Sequence, residues 1–199
     1  MSSILADVPL LPPSVPRTHG PLVSAFGRLT MRLTGWRFEG NFPDCAKMMT
    51  IVSPHTSNWD VPVGLQAKFA LQWEVRFVAK QELFWWPLGA ILRSLGSVPV
   101  DRSAAGDVVD STVDAFRRAD KLCLLITPEG TRRKVKRWKS GFHRIARGAG
   151  VPIVLITFDY PRKVVRLGPA FTPTDDYERD LAEIRSHITA SMARRPENY

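Results

Sequence analysis

Cysteine is scarce in this chain: Cys45 and Cys123 are the only two among 199 residues, and neither belongs to a Cys-x-x-Cys pair. That argues against a disulfide scaffold and against a cysteine zinc site, and it suits a reducing cytosol. Cys123 lies inside an apolar run, where a thiol acts as a small core residue. Long hydrophobic runs are missing as well. The longest charge-free stretches, such as residues 48–59 and 83–92, fall short of the roughly 18 residues that a membrane-spanning helix needs. Residues 1–16 are rich in proline and lack the basic start and continuous apolar core of a signal peptide. Repeats and low-complexity blocks are absent beyond the Pro-rich first twenty residues. Gly-x-Ser-x-Gly, the elbow that presents a nucleophilic serine in many hydrolases, is absent too.

Acidic residues are in deficit. Nineteen Asp and Glu stand against 28 Lys and Arg, for a formal net charge of +9 and a pI near 10.1. A chain this basic expects anionic partners: phospholipid headgroups, the phosphates of coenzyme A, an acidic carrier protein or nucleic acid. No nucleic-acid-binding signature accompanies the charge, so that last partner rests on charge alone and is not expected.

With 44% hydrophobic side chains, the chain is sized for one core. We expect a flexible leader over residues 1–20 and a single domain over 21–199. Apolar runs predict strands near 48–53, 74–79, 97–100, 121–126, 152–158 and 163–168. Helical patterns fall near 22–35, 59–71, 84–95, 104–118, 140–149 and 175–193. Alternation of this kind predicts an α/β layered fold with a mixed, largely parallel central sheet flanked by helices. Ligands of such sheets sit beyond the carboxyl ends of the strands.

The run Ser53-Pro54-His55-Thr56-Ser57-Asn58-Trp59-Asp60 follows the first central strand and opens the next helix. His55 and Asp60 would point apart in an unbroken helix, so they meet only if the loop folds His55 back. Asp60 in the first helical turn could then take one ring nitrogen and leave the other as a general base. A capping Asp beside an unremarkable loop His is the other reading of the same residues. Ser57 is the rival nucleophile, although a cap for the helix at Trp59 suits it better.

Some seventy residues later, the apolar run 122–126 leads through Thr127 into Pro128-Glu129-Gly130-Thr131-Arg132. Glycine permits close backbone approach, and a threonine hydroxyl with an arginine fork suits phosphate oxygens. At this point the sequence resembles the glycerophospholipid acyltransferases, the family of the lysophosphatidate acyltransferases. Four blocks match in order: His55-Thr56-Ser57-Asn58-Trp59-Asp60, then Gly96-Ser97-Val98-Pro99-Val100-Asp101-Arg102, then Glu129-Gly130-Thr131-Arg132, then Val151-Pro152-Ile153-Val154. Together they span about residues 47–158.

The resemblance implies direct transfer of an acyl group to a lysophospholipid hydroxyl, with no acyl-enzyme and no cofactor. The thioester of coenzyme A or of acyl carrier protein is the co-substrate. It implies His55 as the base, Asp60 as its orienting partner, and Arg102 and Arg132 on the acceptor's phosphate. Gly130 and Thr131 add donors there, and Glu129 bonds a glycerol hydroxyl or holds an arginine. The expected partners are the acyl donor, an anionic lyso-lipid such as 1-acyl-glycerol-3-phosphate, and the inner membrane surface, which the protein meets peripherally from the cytoplasm.

Three positions depart from the family pattern: Thr127, Arg133 and Leu155. They touch neither His55 nor Asp60 but leave the acceptor open, including a lyso-aminolipid. The cation-dense residues 133–142 suit anionic headgroups or a carrier-protein surface, and otherwise read as a solvated loop. Residues 22–37 read as a basic apolar helix for a membrane interface or as a helix packed on the core. Phe84, Trp85 and Trp86 read as an acyl tunnel, an interface belt or ordinary packing. His143 and His187 have no acidic neighbour at ligand spacing and carry no claim of their own. An ester hydrolase and a non-catalytic binder of anions are the competing functions.

Overall fold

Every residue of β6 (Ile153–Asp159) is buried, as are all but the first of β2 (Lys47–Val52). Strands covered on both faces read this way, as continuous apolar runs without alternation. The computed structural model describes residues 8–18, 20–100 and 105–199. Within them, β1 (Arg37–Gly40), β3 (Arg76–Lys80), β4 (Ser97–Val100), β5 (Leu122–Ile126) and β7 (Val164–Phe171) complete one seven-stranded sheet in the order β1-β7-β6-β2-β5-β3-β4. All neighbours pair in parallel except β6 and β7, an antiparallel hairpin. The mixed, largely parallel sheet expected from the sequence is therefore the one found.

Successive strand residues point to opposite faces, and the core divides accordingly. Met48, Val52, Val154, Ile156 and Phe158 face one apolar cluster with Met31 of α1 (Pro21–Thr34) and Val63 and Ala67 of α2 (Asp60–Leu71). Met49, Ile51, Ile153 and Leu155 face the other. There they meet Val113 and Phe116 of α4 (Ala105–Arg118), Phe142 and Ile145 of α5 (Gly141–Ala149), and Ile184 of α6 (Tyr177–Ser186). Each fully buried aliphatic side chain contributes about 1.5–3 kcal/mol, so the sheet centre anchors both layers. Helices α1 and α2 approach most closely at Gly27, where a Cβ would stand 2.4 Å from the Ala70 nitrogen. Only glycine fits that crossing.

Four expectations need correction. Residues 8–18, read as part of a flexible leader, lie against the fold. Leu11 and Val15 are buried, Ser14 N donates to Asp44 Oδ1 at 2.8 Å, and Arg17 bridges to Trp73. β1 was not foreseen, because Arg-Phe-Glu-Gly has no apolar run and becomes a strand only by pairing with β7. The helix expected over 84–95 is α3 (Leu88–Ser94), preceded by a short 3-10 turn at Gln81–Leu83. Pro87 disfavours helical geometry in the residue before it, which postpones the start. The last helix stops at Ser186, seven residues early, because Ile188 turns inward to the core.

Candidate active site

The central trio β5-β2-β6 delivers the site. Three parallel strands end side by side, and the residues just beyond their carboxyl ends are Glu129, His55 and Tyr160. The loop after β2 folds back upon the start of α2, which brings His55 Nδ1 to 2.9 Å from Asp60 Oδ2. The approach is close without meeting hydrogen-bond geometry, and Nδ1 has no other partner among the described residues. The same oxygen accepts from the amides of Thr56 and Ser57, each at 3.1 Å, and Oδ1 accepts from the Tyr160 hydroxyl at 2.7 Å. Both carboxylate oxygens are thus engaged, at the positive end of the α2 dipole.

Tyr160 is held as firmly as the group it serves. Its ring meets Trp36 edge-on at 5.1 Å, and its amide donates to Met192 O at 2.9 Å. Burial, then the hydrogen bond and charge of Asp60, push its phenol far above the ordinary tyrosine value, so the hydroxyl donates throughout the usable pH range. Sequence reasoning missed Tyr160. The available signal was its place immediately after β6, the strand beside β2, where α/β sheets gather their functional residues.

Glu129 is buried and braces the loop that carries His55 from the opposite side. Its Oε1 accepts from Ser53 Oγ at 2.6 Å and from the His55 amide at 3.3 Å. Its Oε2 is buried with no partner among the described residues. Burial pushes this carboxyl above the usual range, opposed by the Ser53 hydroxyl, its own amide and His55. Gly130 follows with φ +66°, a left-handed conformation that side chains rarely adopt, and its amide closes a turn to Thr127 O at 3.0 Å. The turn reverses the chain after β5.

Of the residues singled out from sequence, the structure brings His55 and Glu129 to one cavity, with Asp60 buried behind His55. Thr131 and Arg132 are exposed on the loop beyond Gly130, and neither lines the cavity at His55. Arg102 lies outside the described residues. Ser57 is buried, and its hydroxyl accepts from the Trp59 amide at 3.2 Å rather than engaging His55. The cavity beside His55 and Glu129 is closed by Trp138, by Arg185 of α6, and by Asn198 and Tyr199. Of those four, only Trp138 carried a functional reading in the sequence, as part of the cation-dense residues 133–142. Trp138 is buried with Phe142 beside the partly buried Tyr177, so the cation-dense loop 133–142 is not uniformly solvated. His143, given no role from sequence, is a structural residue: its Nε2 lies 2.8 Å from Asp180 Oδ2, a partner 37 positions away.

The family profile of the acyltransferases matches residues 37–159, more than half of the chain. The chain belongs to the acyltransferase family. The acyltransferase membership read from the four blocks holds, and the protein is an acyltransferase enzyme. The acyltransferase's fold is similar to the crystal structure of the 1-acyl-sn-glycerophosphate (LPA) acyltransferase PlsC from Thermotoga maritima. The TM-score is 0.60, with 17% sequence identity, over 84% of this chain and 75% of that one. At that identity the likeness is one of fold. No curated protein sequence matches the acyltransferase.

Proposed function

We propose that this acyltransferase moves a fatty acyl group from a coenzyme A or acyl carrier protein thioester to the hydroxyl of a lysophospholipid such as 1-acyl-glycerol-3-phosphate. The observation that carries the reading is the His55–Asp60 pair at the carboxyl end of the central strand, in the acyltransferase profile and braced by Glu129. His55 takes the acceptor's proton through Nε2 as the oxygen attacks the thioester carbonyl. Asp60 orients the ring through Nδ1 and balances its charge. The leaving thiolate collects the proton, and no acyl-enzyme forms. Glu129 holds the loop that carries His55, and its unpartnered Oε2 can bond a glycerol hydroxyl. Arg102, Gly130, Thr131 and Arg132 serve the acceptor's phosphate in this reading. No cofactor is required beyond the thioester.

The same reading makes the enzyme a peripheral protein at the cytoplasmic surface of a membrane. Among the described residues no helix is long and apolar enough to cross one. Support for the surface comes from α1, where Leu22, Phe26, Leu29 and Leu33 form one exposed stripe, with Leu22 85% and Leu33 77% exposed. Arg28 and Arg32 share that helix, a pairing of apolar face and cation that suits anionic lipid. Trp85 and Trp86 are also exposed, which removes ordinary core packing as their role.

The test is acyl transfer from labelled long-chain acyl-CoA, or the carrier-protein thioester, to a panel of lyso-lipids. Loss of a positioned base costs about 10²–10⁴-fold, so kcat of His55→Ala should fall by that order. Undiminished transfer in that variant would overturn the mechanism. Acyl release without any acceptor would favour the hydrolase instead.

A further inference from the structure

The cavity at His55 measures about 20 Å³, room for one water. A lyso-lipid hydroxyl and a thioester carbonyl must both reach that histidine, so part of its wall has to move. The obvious part is residues 192–199, which run over the catalytic loop. Met192 O receives the Tyr160 amide at 2.9 Å, Arg195 N donates to Thr56 Oγ1 at 3.2 Å, and the Arg194 guanidinium lies 5.8 Å above the Tyr160 ring. Asn198 and Tyr199 then close the cavity over His55 and Glu129. These ties are few, and residues 194–197 are exposed.

Arg185 lines the same cavity from the last turn of α6. Its guanidinium lies over the buried Trp138 indole, 5.8 Å from the ring centroid. Among the described residues it has no carboxylate partner, unlike Arg137 and Arg147, which have Glu178 and Asp175. What it meets instead is the Tyr199 phenol. An exposed arginine at the rim of the cavity, over an aromatic face and hydrogen-bonded to a neutral hydroxyl, can exchange that hydroxyl for a stronger acceptor. Phosphate monoester oxygens accept charge-assisted, bidentate hydrogen bonds about twice as strong as neutral ones.

We propose that Arg185 binds the phosphate of the acyl acceptor, and that Tyr199 occupies its place in the empty enzyme and leaves when the acceptor enters. This rests on the lysophospholipid reading above and assigns one of its specificity residues. The same phosphate chemistry exists on coenzyme A, so acceptor and donor have to be titrated separately.

The experiment uses the full chain, with Arg185→Gln and Tyr199→Ala, and lysophosphatidate with a long-chain acyl-CoA. A charge-assisted hydrogen bond is worth about 1.5–3 kcal/mol, so Arg185→Gln should raise the lysophosphatidate KM roughly ten- to a hundredfold. Its kcat should stay within about threefold and its acyl-CoA KM unchanged, because the bond is made equally in ground and transition states. Tyr199→Ala should lower the lysophosphatidate KM severalfold. An unchanged acceptor KM in Arg185→Gln, a rise confined to the acyl-CoA KM, or a higher acceptor KM in Tyr199→Ala would each overturn the proposal. Calorimetric titration of lysophosphatidate without donor keeps the two readings apart. If the wild type transfers no acyl group, the enzymatic reading fails by itself. Arg185-dependent binding would still uphold the site, and equal affinities of the wild type and Arg185→Gln would sink it.

Discussion

Glu129 and Tyr160 bracket the His55–Asp60 pair from neighbouring strands, and they do different work. Glu129 accepts two donors from the loop that carries His55. Replacing it with alanine leaves the Ser53 hydroxyl and the His55 amide buried without an acceptor, which costs about 1–3 kcal/mol. Glu129→Gln keeps an oxygen for both. Burial raises the carboxyl of Glu129, so its share of stability is present below the unfolded glutamate value and lost as pH rises through the folded one. The amide escapes that loss. Thermal unfolding above pH 7 should therefore rank Glu129→Gln at or above wild type and Glu129→Ala well below. Equal melting of the two variants would refute the bracing role. Tyr160 acts on Asp60 instead, at 2.7 Å. Tyr160→Phe keeps the ring against Trp36 and deletes one hydrogen bond to a carboxylate. We expect kcat to fall about tenfold with KM for the acceptor unchanged, in line with such a bond's strength. A parallel change in KM, or no change in kcat, would mean that Tyr160 only packs.

At the scale of elements, α5 and α6 meet through a buried hydrogen bond in which His143 faces Asp180. The carboxylate also accepts from the Thr174 amide at 2.6 Å and the Thr174 hydroxyl at 2.8 Å, which ties the segment before α6 to its first turn. Burial pushes the Asp180 carboxyl up, but the Thr174 amide, His143 and the Thr174 hydroxyl together pull it below the ordinary value of 3.8. A depressed carboxylate stabilises the fold above its unfolded value and loses that contribution as pH falls through the folded one. Wild-type stability should accordingly drop as pH is lowered from about 4, beyond the general acid loss, and Asp180→Asn should be less stable at pH 7 with a flatter acid slope. Melting temperatures from pH 2.5 to 7 for both proteins check this. The pair also matters to the site, because α6 carries Arg185 to the cavity.

For the molecule as a whole, charge and exposed apolar surface point the same way. The formal charge is +9, and the largest exposed side chains include Leu22, Phe26 and Leu33 of α1, together with Trp59 at the start of α2, next to the catalytic loop. A protein built like this should bind vesicles containing anionic lipid and release as salt screens the cations. Replacing Phe26 and Leu33 together with glutamate should abolish co-sedimentation with phosphatidylglycerol vesicles, while leaving transfer to a dispersed short-chain acceptor within about twofold. Retention on vesicles would place the contact elsewhere, with Trp85 and Trp86 the next surface to test.

The chain's own pattern was enough for the layered α/β class, for most strands, and for bringing His55, Asp60 and Glu129 to neighbouring strand ends, since runs such as 122–126 and 153–156 are apolar throughout and the loops that carry those residues follow such runs. Local sequence could also name the motif loop, because a glycine at φ +66° and a proline before it are signals within a few residues. What it could not supply were partners joined across the chain. Tyr160 reaches Asp60 across 100 positions, His143 reaches Asp180 across 37, and β1 exists only because β7 offers it a parallel edge. Arg185 and Tyr199 have no pattern of their own and come to line the cavity at His55 only when α6 and the residues after it pack over the strand ends. Periodicity reports which face a residue turns inward; which residue it then meets is decided by the packing of elements distant in sequence.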